Sequence, residues 1–110
     1  MLPAAARLRR RQEFTDVVRR GRRTSRGPLT FHLVTDDGPT QVGFVIGKVV
    51  GQAVVRNRLR RRLRQLLRAH LATLPPGTRL VVRAREGAGD LPSNELARLV
   101  DAGLGKLVRA

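Results

Sequence analysis

The sequence predicts an α+β domain in which helices back one small, mainly antiparallel sheet. A length of 110 residues suits one domain with a single core. Apolar residues repeat at helical spacing in three segments, and they alternate or run together in three shorter ones. Turn residues separate these segments. The predicted order is therefore helix, strand, strand, helix, strand, helix.

The first predicted element is an amphipathic helix over about residues 11–20. One face of it carries the apolar residues Phe14, Val17 and Val18. Gly21 follows, where glycine commonly ends a helix. We expect residues 1–9 to form a loose basic tail and residues 10–110 to form the domain. A transit peptide is an alternative for the arginine-rich first ten residues, whereas the apolar stretch of a secretory signal does not follow them.

Two strands are predicted next. In residues 29–33, apolar side chains alternate with Thr30 and His32, which indicates a half-buried strand. Residues 42–46 are mostly apolar and predict a second strand. The short turn at residues 36–39 predicts that the two strands pair as an antiparallel hairpin.

The second half of the chain begins with the longest helix signal, over about residues 51–74, and prolines follow it. A short strand over residues 80–84 comes next. After a loop, apolar residues at helical spacing predict a last helix over about residues 93–108.

The chain is strongly basic, with 23 Lys plus Arg against 8 Asp plus Glu and a net charge of +15. Residues 1–26 and residues 56–68 each carry about +7 of this charge. Such clustering predicts a polyanionic partner, because like charges repel within one small domain. Absence of cysteine is compatible with a reducing cytosol. No apolar run approaches the roughly 18 residues of a membrane span, so no membrane partner is expected.

The long helix divides into an apolar side and a basic side. The side expected to face the sheet carries Val55, Leu59, Leu63, Leu66, Leu67 and Leu74, with His70 among them. The opposite side carries Asn57, Arg60, Arg61, Arg64 and Arg68, flanked by Arg58 and Arg62. Like charges at i,i+4 destabilise a helix by a few tenths of a kcal/mol each. Because residues 56–68 contain no acid, an external anion is favoured over an ordinary solvated face.

Other constellations are weak. Gly47-Lys48 resembles the end of a phosphate loop, but Val49 stands where Ser or Thr is needed. His70 is expected to be a helix-face residue near the core, and the acids are scattered. The sequence therefore offers no catalytic residue and no metal site for phosphodiester hydrolysis by the protein itself.

The segment Val42-Gly43-Phe44-Val45-Ile46, then Lys48, then residues 51–64 with Arg56-Asn57-Arg58 at their centre resembles the signature of the bacterial ribonuclease P protein family. Weaker similarity extends over nearly the whole chain. The resemblance implies an α/β sandwich with a left-handed crossover around the long helix, a fold related to that of some ribosomal proteins.

The resemblance also implies a division of labour with a catalytic RNA. Residues of the long helix and the preceding turn would contact that RNA, namely Lys48, Arg56, Asn57, Arg58, Arg60, Arg61, Arg64 and Arg68. A cleft between the first helix and the sheet would hold the 5′ leader of precursor tRNA, through Arg10, Phe14, Val18 and His32. Magnesium held largely by the RNA would drive hydrolysis. The implied assembly is cytoplasmic, with one protein and one RNA.

Several departures from the family pattern stand out. The positions of Val18 and His32 are often aromatic in the family, Gln52 stands where Asn is more usual, and Gly47-Lys48-Val49 stands where Ser-Lys-Lys is more usual. Weaker stacking on the leader is therefore expected. A histidine beside phosphate would gain a proton readily, so His32 predicts tighter leader binding as the pH falls.

Three alternatives remain open from the residues alone. A ribosomal protein would have a similar charge and a similar arginine helix, with the Arg56-Asn57-Arg58 signature arguing against it. An autonomous nuclease would need a catalytic cluster. Phe14 and Val18 could also be core residues and not cleft residues.

Overall fold

The predicted α+β class is confirmed by the structure, a computed structural model that describes the backbone of residues 2–109 and the side chains of residues 2–108. It contains one sheet and three α-helices. In chain order the elements are α1 (Arg11–Arg20), β1 (Arg22–Arg26), β2 (Leu29–Thr35), β3 (Gln41–Ile46), α2 (Ala53–His70), β4 (Thr78–Ala84) and α3 (Ser93–Arg109). Within the described part of the chain, no helix is both long and apolar enough to cross a membrane.

The strand order in the sheet is β1-β2-β4-β3. β1 pairs with β2 and β2 with β4 in antiparallel fashion, while β3 and β4 are parallel. The predicted hairpin between β2 and β3 is therefore wrong, because β4 lies between them. Leu80, Val81 and Val82 are buried on both faces, as a central strand requires. α2 forms the crossover between the parallel strands, and its left-handed sense stays a prediction.

β1 is not among the predicted strands. Its sequence, RRTSR, has no apolar residue, so the alternation that indicates a strand is absent. It forms because Gly27 turns the chain with a φ of 56° and brings Arg26 opposite Leu29. β1 is an edge strand, where charged side chains prevent pairing with other chains.

Two apolar clusters lie on opposite faces of the sheet. The larger packs the sheet against α2 and α3, and among its members are Phe31 of β2, Leu63 of α2 and Val100 of α3. Phe31 lies directly on α3, where a Cβ at Gly103 would be 2.3 Å from its ring. The smaller cluster joins α1 to the other face through Val17 and Val81. The molecule is therefore a sandwich with the sheet in the middle.

α2 is shorter than predicted, because residues 71–73 form a 3-10 turn after His70. Its apolar side faces the core as expected, with Leu59, Leu63 and Leu67 buried. His70 lies on the helix face at the core boundary, with its Nε2 2.7 Å from the Asp101 carboxylate of α3. This contact links the two helices.

The N-terminal segment does not form the loose tail predicted for residues 1–9. Leu2 and Leu8 are 1% and 5% exposed, because both find apolar neighbours in the two clusters. Arg7 forms a β-bridge with Val42, and its guanidinium donates to the carbonyl of Leu2. The folded domain therefore includes residues from Leu2 onward, and Met1 lies outside the described residues.

Candidate nucleic-acid interface

The basic side of α2 borders a shallow hollow of about 560 Å³. Its lining, called the arginine face below, consists of Asn57, Arg60, Arg61, Arg64, Gln65 and Arg68. The structure thus brings five of the predicted catalytic-RNA contacts together. Among the described side chains, no carboxylate pairs with an arginine of this face. Partial burial and the nearby guanidinium groups of Arg7 and Arg60 lower the pKa of Arg64, which indicates crowded positive charge.

Three other predicted contacts do not line this hollow. Arg58 turns to the loop before α3, where its guanidinium donates to the carbonyl of Gly89 at 3.3 Å. Arg56 donates to the carbonyl of Gly51 at 3.1 Å. Lys48 is exposed in the 3-10 turn that precedes α2. The side chains of Arg58 and Arg56 therefore donate hydrogen bonds to nearby backbone carbonyls. They can do so while also contacting an anion.

A second concave surface, called the cleft below, lies between α1 and the sheet and encloses about 670 Å³. Its apolar or neutral lining consists of Phe14, Thr15, Val18, Phe44, Val45 and Ile46. Its charged lining consists of five arginines, Arg9, Arg11, Arg19, Arg60 and Arg83. Because arginine is the only charged residue type in this lining, the cleft is suited to a chain of phosphates.

The predicted leader-binding residues occupy different positions relative to the cleft. Phe14 and Val18 line it, and Val18 is 36% exposed, so it is not a core residue. Arg10 is exposed at the start of α1. Among the described residues, its neighbours Arg9 and Arg11 line the cleft and Arg10 does not.

His32 is buried, with 3% exposure, on the face of β2 that carries α1. Neither of its ring nitrogens has a hydrogen-bond partner in the described structure. Burial, then the charges of Arg83 and Arg23, lower the pKa of His32. In the free protein two guanidinium groups near the imidazole oppose its protonation, and the expectation that a phosphate beside it favours the proton stays a prediction for the RNA complex.

The residue that joins the two surfaces is Arg60, which lines both the hollow and the cleft. It also borders a cavity of about 90 Å³ with Arg7, Phe14, Gly43 and Arg64. A Cβ at Gly43 would be 2.4 Å from the Phe14 ring, so glycine is required at this position for Phe14 to sit against β3. The arginine face and the cleft therefore form one continuous basic surface around the β3 edge of the sheet.

Acidic residues near α1 are paired and hold that helix on the sheet. Arg20 contacts the carboxylates of Asp16 at 2.6 Å and Asp36 at 2.9 Å. Arg79 of β4 lies 3.8 Å from Glu13. Glu13 also accepts hydrogen bonds from the backbone N–H groups at the start of α1, and these bonds lower its pKa. Within the described residues there is no group of three His, Cys, Asp or Glu side chains that could hold a metal ion.

Sequence reasoning missed Arg83 as a cleft residue. A single arginine after two valines on a predicted strand was the available signal. Its meaning depends on the register, which puts Arg83 on the α1 face beside Val45 and Thr30.

An α+β sandwich with this surface of unpaired arginines is typical of one class of protein, the nucleic-acid-binding domains. Comparison with known proteins gives the family. The family model described as Ribonuclease P matches residues 2–108. The ribonuclease P protein component of Streptomyces griseus is 49% identical, with 98% of this chain and 96% of that protein covered. The component from Acidothermus cellulolyticus is 48% identical, with 99% and 93% covered. The chain therefore belongs to the ribonuclease P protein family.

Solved structures show the same fold. The ribonuclease P protein of Staphylococcus aureus superimposes with a TM-score of 0.84 at 19% identity, covering 94% of this chain and 98% of that one. The protein of Thermotoga maritima superimposes with a TM-score of 0.78 at 22% identity, covering 94% and 96%. The fold is thus preserved at low sequence identity.

Proposed function

We propose that this chain binds the catalytic RNA through the arginine face and holds the 5′ leader of precursor tRNA in the cleft while the RNA removes the leader. Family membership makes the chain a component of an endoribonuclease complex that processes tRNA, in association with ribonuclease P RNA. The observation that carries the finer assignment is Arg60, which belongs to both surfaces. A leader in the cleft would then start beside the catalytic RNA.

The two surfaces suit different forms of RNA. The arginine face is one side of a helix, and its guanidinium groups can form bidentate contacts with the phosphates of folded RNA. The cleft has two aromatic residues, Phe14 and Phe44, in its lining. Proteins usually bind single-stranded RNA by stacking bases on aromatic rings and by placing basic side chains along the phosphate backbone. The leader is the single-stranded part of the substrate.

Magnesium in this proposal is held by the RNA. Glu13, Asp16 and Asp36 are engaged with arginines, which supports magnesium bound by the RNA over magnesium bound by these carboxylates. The chain supplies binding and orientation, and no catalytic step is assigned to its side chains. We further place one protein per RNA, in the cytoplasm.

Phe14→Ala tests the cleft assignment. The variant should weaken binding of precursor tRNA to the reconstituted complex by roughly 1–3 kcal/mol, the contribution of one base stack. Mature tRNA, which lacks a leader, should bind unchanged. Equilibrium binding of both RNAs and thermal unfolding of the free protein provide the measurements.

The matched control is Phe31→Ala, which removes a fully buried ring on the other face of the sheet. It should lower the free energy of unfolding by about 3–5 kcal/mol and weaken the binding of precursor tRNA and of mature tRNA to a similar extent. If Phe14→Ala behaves in the same way, Phe14 is a core residue and the leader does not contact it.

A further inference from the structure

A row of side chains crosses the sheet on the face that carries α1. The register places Val45 of β3, Arg83 of β4, Thr30 of β2 and Ser25 of β1 side by side. Laterally paired residues share a face, and neighbouring strands are about 4.8 Å apart, so the row spans roughly 14 Å. It runs from one edge of the sheet to the other.

Arg83 is an unusual residue for its position. It lies in the central region of the sheet, on β4, yet its side chain is exposed. In the described structure it donates no hydrogen bond, and the carboxylates that form ion pairs do so with other partners. A charge held over a sheet without a counter-ion is stabilised by an anion from outside.

The β1 end of the row is polar and open. Ser25 is exposed, and its hydroxyl lies 3.1 Å from that of the buried Thr30. Arg23 is exposed on the same face, opposite His32. The effect of both Arg23 and Arg83 on the His32 pKa is consistent with two guanidinium groups on this one face.

The row continues the cleft along α1. This helix packs against β2 and β4, with Phe14 near Gly43 of β3 at one end and Gly21 against Leu33 of β2 at the other. It therefore crosses the strands in the same direction as the row. Val45 and Arg83 line the cleft itself, so the row begins in the cleft on β3 and β4 and continues past it over β2 and β1.

We propose a second subsite for single-stranded RNA, which binds the leader upstream of the nucleotides at Phe14. It consists of Arg83 and Ser25 of the row and of Arg23 beside it, and these three residues are called the floor row. This inference rests on the proposed function. Nucleotides next to the cleavage site would lie near Arg60 and Phe14, and earlier ones over the floor row. Guanidinium and hydroxyl groups here would bind phosphates and ribose, so the subsite would not select a base sequence.

The test uses the protein assembled with its catalytic RNA and precursor tRNAs whose leaders are lengthened one nucleotide at a time. Wild-type affinity should rise in two stages, the first through the cleft and the second through the floor row. Arg23→Gln should keep the first stage and weaken binding of long leaders by roughly tenfold, whereas Arg83→Gln, at a residue that also lines the cleft, should weaken both stages and the second one more. For long leaders the log–log salt slope should fall by about 0.7 for each lost phosphate contact.

Two further variants complete the test. Arg83→Lys keeps the charge and should retain most of the second stage. Arg98→Gln removes an arginine that pairs with Glu95 on α3 and should match the wild type at every length. Unfolding of each free variant shows whether the fold is intact.

The outcomes separate the two proposals. If Arg83→Gln and Arg23→Gln match Arg98→Gln at all lengths while Phe14→Ala still weakens the first stage, the floor row does not bind RNA and the cleft assignment stands. Equal weakening of short and long leaders by Arg23→Gln would also overturn the second subsite. If lengthening the leader never raises the affinity for precursor tRNA and Phe14→Ala has no effect, the protein does not bind the leader.

Discussion

His32 is a neutral ring in a basic surrounding. Its side chain is buried under α1, and the guanidinium groups of Arg83 and Arg23 are close enough to disfavour a second proton. The folded state therefore binds that proton less readily than the unfolded chain does, where the pKa is about 6.5. The contribution of His32 to the free energy of unfolding is therefore present above about pH 6.5 and is lost as the pH falls below it.

The free protein should consequently become less stable between about pH 7.5 and pH 5.5, as measured by denaturant unfolding at several pH values. His32→Phe should reduce this dependence, because phenylalanine does not titrate. The control is His70→Gln, which removes the half-buried histidine beside Asp101. An unchanged pH dependence in His32→Phe would show that other groups cause it.

At the scale of elements, α2 combines a buried apolar side with an arginine face that no described acid neutralises. Repulsion between Arg60 and Arg64 at i,i+4 costs the free helix a few tenths of a kcal/mol. Contact with phosphates offsets that cost and releases counterions. The arginine face should therefore contribute to RNA affinity while slightly weakening the free protein.

Arg60→Ala and Arg64→Ala should each reduce by roughly one the slope of log affinity for the catalytic RNA against log salt concentration. Arg98→Ala, on α3, should change the slope much less. Arg58→Ala is a second control on α2 itself, because that guanidinium also holds the Gly89 carbonyl, and its loss should lower the unfolding temperature. Equal slopes for all four variants would indicate binding by diffuse charge.

At the scale of the whole molecule, charge of +15 is distributed so that acids pair on α1 and α3 while arginines line the hollow and the cleft. In the proposed function this surface brings two polyanions together, catalytic RNA and substrate. Neutralising their mutual repulsion is also a task of magnesium ions. A protein that performs part of that task lowers the ion concentration the RNA needs.

Protein without RNA should therefore cleave no precursor tRNA, and the assembled complex should reach half-maximal cleavage at a lower magnesium concentration than the RNA alone. Cleavage assays at increasing magnesium concentration, with the RNA alone, the protein alone and the two together, measure this. Cleavage at the correct 5′ site by RNA-free protein, at a rate comparable to that of the complex, would contradict the proposal.

Local patterns in the sequence determined the α+β class, the three helices and the arginine face. Helical periodicity depends on residues three and four apart, so Leu59, Leu63 and Leu67 could be assigned to the core and Arg60 and Arg64 to the opposite side without knowing the rest of the fold. The strands β2, β3 and β4 were predicted for the same reason, because a run of apolar residues is a local signal.

Only the tertiary structure decided the strand order, the existence of β1, the burial of His32 and the placement of Arg83 in the cleft. Each depends on which strands pair and in which register, and pairing is set by residues far apart in the chain. β4 lies between β2 and β3, where its apolar side chains pack toward α1 on one face and toward α2 and α3 on the other. That position puts an arginine at the end of an apolar run into the lining of the cleft.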